Sequence, residues 1–136
     1  MVMNKITISN TIYNQLVEHG KSCLPYEACG LLAGNKDDIT SIWPLENEWK
    51  SDRRFFVSEK IVAQTLNEIK IRNELVIAIY HSHPTTAPVP SRYDLINHPD
   101  KNVKMAIVSY KAAQPSLKTY IINKGNYKEC PFLIRT

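Results

Sequence analysis

The chain lacks an apolar stretch long enough to cross a membrane, and its first ten residues lack the apolar core of a signal peptide. Both absences predict a cytosolic location. Only three cysteines are present, Cys23, Cys29 and Cys130, and they form neither a CxxC pair nor an even set for a disulfide framework. We therefore expect reduced thiols.

The chain also lacks a run of basic residues. Lysine and arginine total 17 against 13 aspartates and glutamates, which gives a net charge of +4, but the cations are dispersed. Nucleic-acid arms and anchors for anionic membranes carry their basic residues in clusters. The sequence therefore predicts neither nucleic acid nor membrane as a partner, and it leaves the oligomeric state open.

Length and composition fit one globular domain over residues 1–136, with 43% hydrophobic and 22% charged residues and no internal repeats. Ser9 and Ser58 are candidate caps for two amphipathic helices, and a short helix is expected over residues 91–97. Strands are expected at residues 28–33, 38–43, 54–57, 75–80, 103–109, 117–123 and 127–134. This alternation predicts the α/β class, a single-domain mixed β-sheet with helices packed on it.

Residues 81–94 bring two imidazoles, a hydroxyl and a carboxylate directly after the predicted strand at residues 75–80. If the backbone stays extended, His81 and His83 point to the same face and reach one ion. Pro84 cannot continue a central strand, and the proline-rich segment after it leads back to a third ligand, Asp94. Three ligands without sulfur are typical of a catalytic zinc site with an open fourth position. Iron and manganese suit the same donors, and zinc is the first choice.

The same residues also have a simpler structural interpretation. Ser91 and Asp94 have the spacing of a helix capping box, and a His-x-His pair at a strand end is not by itself a metal site. The two interpretations are compatible, because a helix beginning at Ser91 would fix Asp94 through its backbone. The coincidence of all these groups in one short segment favours the metal site. His98, followed by Pro99, is expected to end the short helix outside the ligand set.

A metal site of this kind is helped by a carboxylate that accepts a proton from water. Glu27 stands at the entrance to an apolar, strand-like run, where a carboxylate is unusual, so it is a candidate base or else a loop residue. The other candidate carboxylates are Glu18, Glu46, Glu48, Glu59, Glu68 and Glu74. Glu18, Glu59 and Glu68 lie in amphipathic helical patterns and are most simply solvated. Cys29 is a weak candidate nucleophile, because no histidine is tied to it by sequence.

Three segments together resemble the JAMM (MPN-plus) metalloproteases, the zinc isopeptidases that cleave ubiquitin and ubiquitin-like modifiers from their conjugates. The first is His81-x-His83-Pro, with Pro-Ser91-x-x-Asp94 after it. The second, residues 25–34 with Glu27, resembles the family's upstream segment. The third, residues 44–47 (Pro-Leu-Glu-Asn) with residues 56–57, resembles the edge before the family's second helix. The resemblance runs from about residue 6 to residue 123.

The resemblance implies a deaminase-like JAMM/MPN fold with Zn²⁺ bound by His81, His83 and Asp94. It further implies that Glu27 is the catalytic base and that Ser91 donates to the oxyanion, although Ser91 as a simple helix cap stays open. The implied reaction is hydrolysis of an amide or isopeptide bond after the C-terminal Gly-Gly of a ubiquitin-like or sulfur-carrier protein.

Only residues 45–53 and 96–102 are available for the insertions with which eukaryotic members of the family grip ubiquitin. This implies a minimal, prokaryotic-type member and argues against linkage-specific polyubiquitin cleavage. A non-catalytic MPN scaffold is the alternative function, but that group has lost ligands that are all present here. A DNA-repair-associated relative is disfavoured by Ser82, where that group carries Asn, and by the lack of an N-terminal DNA-binding module.

Overall fold

The computed structural model describes residues 5–136, which form one mixed eight-stranded sheet and three helices. The elements are β1 (Ile6–Ser9), α1 (Asn10–Cys23), β2 (Cys29–Asn35), β3 (Asp38–Leu45), α2 (Glu59–Ile71), β4 (Leu75–His83), α3 (Arg92–Asn97), β5 (Lys104–Ser109), β6 (Ser116–Asn123), β7 (Asn126–Cys130) and β8 (Phe132–Arg135). The predicted mixed α/β class is confirmed. The predicted domain over residues 1–136 includes residues 1–4, which lie outside the described part, and stays a prediction.

The strand order in the sheet is β7-β6-β5-β4-β2-β3-β1-β8. β4 lies near the centre, antiparallel to β2 and parallel to β5. β7 and β8 stand at opposite ends of this order, although only Pro131 separates them in the chain. The sheet is therefore curled until its two ends meet, and the carbonyl of Pro131 accepts a hydrogen bond from Ile6 N at 3.1 Å.

One face of the sheet packs against α1 and holds the main core. Ser9 caps this helix by accepting a hydrogen bond from Ile12 N at 3.1 Å. The strands contribute Tyr80 of β4, which is fully buried, and Gly30 of β2 lies against its ring. A Cβ atom added at Gly30 would clash with the Tyr80 ring, so the position of this ring over β2 requires glycine.

The opposite face is covered by α2 and α3 and carries two separate apolar clusters. In the first cluster Leu31 and Ala33 pack with Ile69 of α2. In the second, Leu95 of α3 packs against Met105 and other buried residues of β5 and β6. Cross-strand partners share a face, so Ile79 and His81, which pair with Leu31 and Cys29, point to this side of the sheet, and His83 follows in the same alternation. The C-terminal end of β4 thus reaches the gap between the clusters.

Most predicted elements are confirmed, with two corrections and one addition. Residues 54–57 are not a strand, because they belong to a loop between β3 and α2 that side-chain hydrogen bonds hold in an irregular path. Residues 127–134 are not one strand either: Pro131 breaks them into β7 and β8, which pair with different partners. β1 was not expected. Ser58 stands at the start of α2 as predicted, but its side chain makes no capping hydrogen bond.

Among residues 5–136 no helix has the length and apolar character needed to cross a membrane.

Candidate metal centre and active site

The pairing of β2 with β4 brings Glu27 to the side of the two histidines. Cys29 stands opposite His81, and the amide of Ser82 donates to the carbonyl of Ala28 at 3.0 Å, which extends the pairing one step further. By this register Glu27 stands opposite His83, and partners in an antiparallel pair share a face.

His81, His83 and Asp94 converge at the end of β4 and are buried, with exposed fractions of 1%, 5% and 6%. The two histidine Nε2 atoms are 3.2 Å apart, and Oδ2 of Asp94 lies 3.1 Å from that of His81 and 3.3 Å from that of His83. Ligands of a tetrahedral zinc ion with bonds of about 2.0–2.1 Å stand about 3.3 Å apart. The spacing and donor types therefore fit one face of a tetrahedral zinc site.

The hydrogen bonding of His83 shows which of its ring atoms faces the other two groups. Its Nδ1 lies 2.7 Å from the carbonyl oxygen of Ala87, which can only accept, so Nδ1 carries the proton. In the neutral ring Nε2 then presents a lone pair toward Asp94 and His81. A carbonyl behind a histidine is a common support for metal ligation. Lone pairs of His83 Nε2 and Asp94 Oδ2 thus face the space that these atoms share with His81 Nε2, and such a space suits a cation.

Asp94 is held by the start of α3. Ser91 N donates to Asp94 Oδ2 at 2.9 Å, and Asp94 N donates to Ser91 Oγ at 3.0 Å, so the expected capping box is present. Burial alone would raise the pKa of Asp94, but its close contacts with the rings of His81 and His83 and the hydrogen bond from the Ser91 amide outweigh burial and hold that pKa well below its usual range. The carboxylate form of Asp94 is therefore the stable one.

Ser91 uses its hydroxyl oxygen, not its hydroxyl hydrogen, in this cap. Oγ accepts the hydrogen bond from Asp94 N, and Ser91 is exposed beside the buried candidate ligands. A hydroxyl has one donor and two acceptor positions, so the O–H remains available to an approaching molecule. Capping and donation to a ligand are compatible roles for this residue.

Glu27 is a buried carboxyl group with an exposed fraction of 3%, and its Oε1 atom has no hydrogen-bond partner among the described residues. Burial raises the pKa of Glu27 to about 9, and the negative charges of Asp94 and Asp52 add to the effect. Buried polar atoms are rarely left without a partner in a purely structural role. A carboxyl kept in such a position is a candidate proton carrier.

Ser82 and Phe55 also support the centre, and the sequence did not indicate either of them. Ser82, fully buried between the two histidines, accepts a hydrogen bond from Ala28 N at 2.7 Å and so fixes the chain beside Glu27. Phe55 stacks on the ring of His81 with a centroid distance of 5.3 Å. Both contacts join residues far apart in sequence, so no local pattern signals them.

A cavity of about 290 Å³ opens beside the candidate ligands. His81 and Asp94 form one end, and most of the other lining side chains are apolar or aromatic, among them Leu31, Phe55 and Tyr93. The gap between the two apolar clusters is thus a pocket next to the candidate metal centre, as is common for binding sites.

Two other residues considered from the sequence line this cavity but are not part of the cluster of His81, His83 and Asp94. Burial raises the pKa of Cys29 to about 12, with smaller contributions from Cys23, Glu27 and Glu48, so the thiol stays protonated at neutral pH and is a poor nucleophile. His98 directly follows α3, and its Nε2 lies 2.6 Å from the carbonyl oxygen of Val103.

Two groups of named relatives match the chain. The CysO-cysteine peptidase of Mycobacterium tuberculosis is 27% identical over 129 residues, which cover 93% of this chain and 88% of the relative. The desampylase of Haloferax volcanii is 26% identical over 101 residues, which cover 69% of this chain and 73% of the relative.

Solved structures share the fold over nearly the whole chain. Protein DSY2949 of Desulfitobacterium hafniense superposes with a TM-score of 0.86 at 26% identity, covering 96% of this chain and 92% of that one. AF2198 of Archaeoglobus fulgidus, a JAB1/MPN domain protein, gives a TM-score of 0.62 at 27% identity and covers 94% and 97%. A structure described as a metalloprotease-like zinc site in the proteasome and signalosome gives 0.57 at 25% identity and covers 93% and 96%.

The family model described as prokaryotic homologues of the JAB domain matches residues 9–121, which include β2, β4, α3 and every candidate site residue. This match covers far more than half of the chain. The chain therefore belongs to the family of prokaryotic JAB-domain proteins.

Proposed function

We propose that the protein is a zinc-dependent hydrolase that cleaves an amide or isopeptide bond after the C-terminal Gly-Gly of a ubiquitin-like or sulfur-carrier protein. One observation carries the proposal: three buried ligand atoms at tetrahedral spacing stand beside a buried glutamate whose pKa is about 9. Membership in the JAB family and the names peptidase and desampylase of two relatives support it.

His81, His83 and Asp94 would hold the ion and leave its fourth position open to water. A bound zinc ion would supply a Lewis acid and lower the pKa of that water to about 7. Glu27 would take the proton of the attacking water and deliver it to the leaving amine. A cation nearby favours the carboxylate, so it would lower the pKa of Glu27 from about 9 toward neutral, where a group can both accept and return a proton.

Ser91 would donate its free O–H to the oxygen that becomes negative when water adds to the scissile carbonyl. Its backbone is fixed at the start of α3 by the capping box, so the hydroxyl is held in place before a substrate arrives. One such donor contributes about 10²–10³ in rate.

The proposed Gly-Gly requirement follows from access to the centre. The three candidate ligands are buried, and two of them, His81 and Asp94, form one end of a cavity with mostly apolar and aromatic walls. Glycine lets a backbone approach another backbone closely, whereas a larger side chain before the scissile bond would collide with these walls. A flexible tail that ends in two glycines is suited to such an approach.

The test incubates the zinc-loaded protein with a sulfur-carrier protein that is extended by one amino acid beyond its Gly-Gly. We expect mass spectrometry to show release after the second glycine. A chelator and a Gly→Ala change in the tail should each abolish the release, and Glu27→Gln should keep the metal while lowering turnover by about 10²–10⁴. Glu68→Gln, at an exposed position on α2, is the matched control.

Two results would count against the proposal. Equal cleavage of unrelated peptides would indicate a general peptidase. No cleavage of any Gly-Gly conjugate from the same organism, with metal bound, would favour the non-catalytic scaffold.

A further inference from the structure

Asn47 is a buried side chain that organises the loop between β3 and α2. Its Nδ2 donates to the carbonyl oxygens of Glu27 at 3.1 Å and Arg54 at 2.9 Å. Its Oδ1 accepts from the amides of Trp49 at 3.1 Å and Phe56 at 3.2 Å. Both donor hydrogens and both lone pairs of this amide are therefore used, and all four partners are backbone groups.

The same loop holds Glu27 from its other side. The amide of Glu27 donates to the carbonyl of Ser51 at 2.8 Å, so both backbone polar groups of Glu27 are bound by residues 47–51. The next residue, Ala28, is fixed to β4 through Ser82. Because Oε1 of Glu27 has no partner among the described residues, these backbone contacts carry much of the placement of its carboxyl group.

We propose that Asn47 is a positioning residue for Glu27: it ties the β3–α2 loop to the backbone of Glu27 and so sets where the carboxyl group stands relative to His83 and Asp94. The inference rests on the proposed function, since it takes Glu27 as the base. A displacement of about 1 Å at a reacting group can lower a rate about 10²-fold, so an anchor that makes no contact with substrate can still affect turnover.

Two variants separate the two halves of the anchor. Asn47→Ala removes all four hydrogen bonds, whereas Asn47→Asp keeps the oxygen that accepts from Trp49 and Phe56 but loses the donors to Glu27 and Arg54. For both variants we expect kcat to fall about 10- to 100-fold, with KM and zinc content within about threefold of the wild type. Asn123→Ala, exposed at the end of β6, is the control for removing an asparagine side chain.

A double-mutant cycle tests whether Asn47 acts through Glu27. If it does, adding Asn47→Ala to Glu27→Gln should change the residual rate by less than about threefold, because the group being positioned is already absent. If Asn47→Ala lowers the rate of the Glu27→Gln variant as much as it lowers the rate of the wild type, the inference is overturned. A raised KM with unchanged kcat, or a loss of zinc, would overturn it as well.

Hydrogen exchange gives a readout that needs no turnover. In Asn47→Asp the amide of Glu27 should exchange at least about tenfold faster, while amides in β5 and β6 stay protected. Unchanged exchange at Glu27 would refute the anchor even if no substrate is ever found. If the wild type is inactive but exchange changes as expected, the proposed function fails while the anchoring of Glu27 by Asn47 stands.

Discussion

Replacing Glu27 by glutamine removes a carboxyl group that resists ionisation in the folded protein. Burial first, and the charges of Asp94 and Asp52 second, raise its pKa from 4.5 to about 9. Below pH 4.5 the group is protonated in both folded and unfolded chains and costs nothing. Between pH 4.5 and 9 the unfolded chain ionises freely and the folded chain does not, so the free energy of unfolding falls as pH rises.

The magnitude follows from the size of that shift. Each pH unit in this window is worth about 1.4 kcal/mol, so the wild type without metal should lose about 3 kcal/mol between pH 4.5 and pH 7 on account of Glu27. Glu27→Gln cannot ionise and should not show this loss. Above pH 9 the difference between the two proteins should become constant.

Urea unfolding in the presence of a chelator, followed by fluorescence of the two tryptophans, measures the effect at pH 5, 6, 7 and 8. The free energy of the variant minus that of the wild type should grow by more than 1 kcal/mol per pH unit. Glu68→Gln, at an exposed position on α2, should leave the wild-type slope unchanged. If the free energies of unfolding of wild type and Glu27→Gln change in parallel with pH, the reasoning is refuted. Added zinc should reduce the difference, since a nearby cation favours the carboxylate.

Three further predictions concern individual contacts. Elemental analysis should find about one zinc per wild-type chain and much less in His83→Ala, and equal metal in both would remove the site from consideration. Ser91→Asp keeps a good helix cap but not the neutral donor, so turnover should fall about 10²–10³ with little change in melting temperature; normal turnover would reduce Ser91 to a cap. Gly30→Ala forces a Cβ against the Tyr80 ring and should lower stability by about 1–3 kcal/mol in thermal unfolding, whereas an unchanged melting temperature would contradict the close approach.

The sequence predicts the neighbourhood of the candidate centre because its parts are local. His81 and His83 share a strand face, and the capping box that fixes Asp94 is a pattern of four consecutive residues. Their roles as ligands stay a proposal. Asn47 is different: its partner Glu27 is twenty positions away, and an asparagine in a loop has no local signal for such a contact.

The errors in the predicted strands have the same origin. Residues 54–57 have strand-like composition, yet the backbones of Arg54 and Phe56 bond to the Asn47 side chain, and within the described part of the chain this segment pairs with no strand. β1 is short, and its partners β3 and β8 are set by the curl of the sheet. Pairing across the whole chain depends on tertiary packing, which periodicity does not contain.

The meeting of the two sheet ends at Pro131 has a consequence for how the protein forms during synthesis. Ile6 leaves the ribosome long before Phe132, its partner on β8. β2, β3 and β4 can pair as soon as residue 83 has emerged, and α3 follows shortly after. The cluster of His81, His83 and Asp94 should therefore assemble while the sheet is still open. One edge of β1 stays unpaired, and part of the core under α1 stays incomplete, until residues 132–135 have emerged. Because such long-range pairing is slow, closure of the sheet rather than assembly of the centre should limit folding.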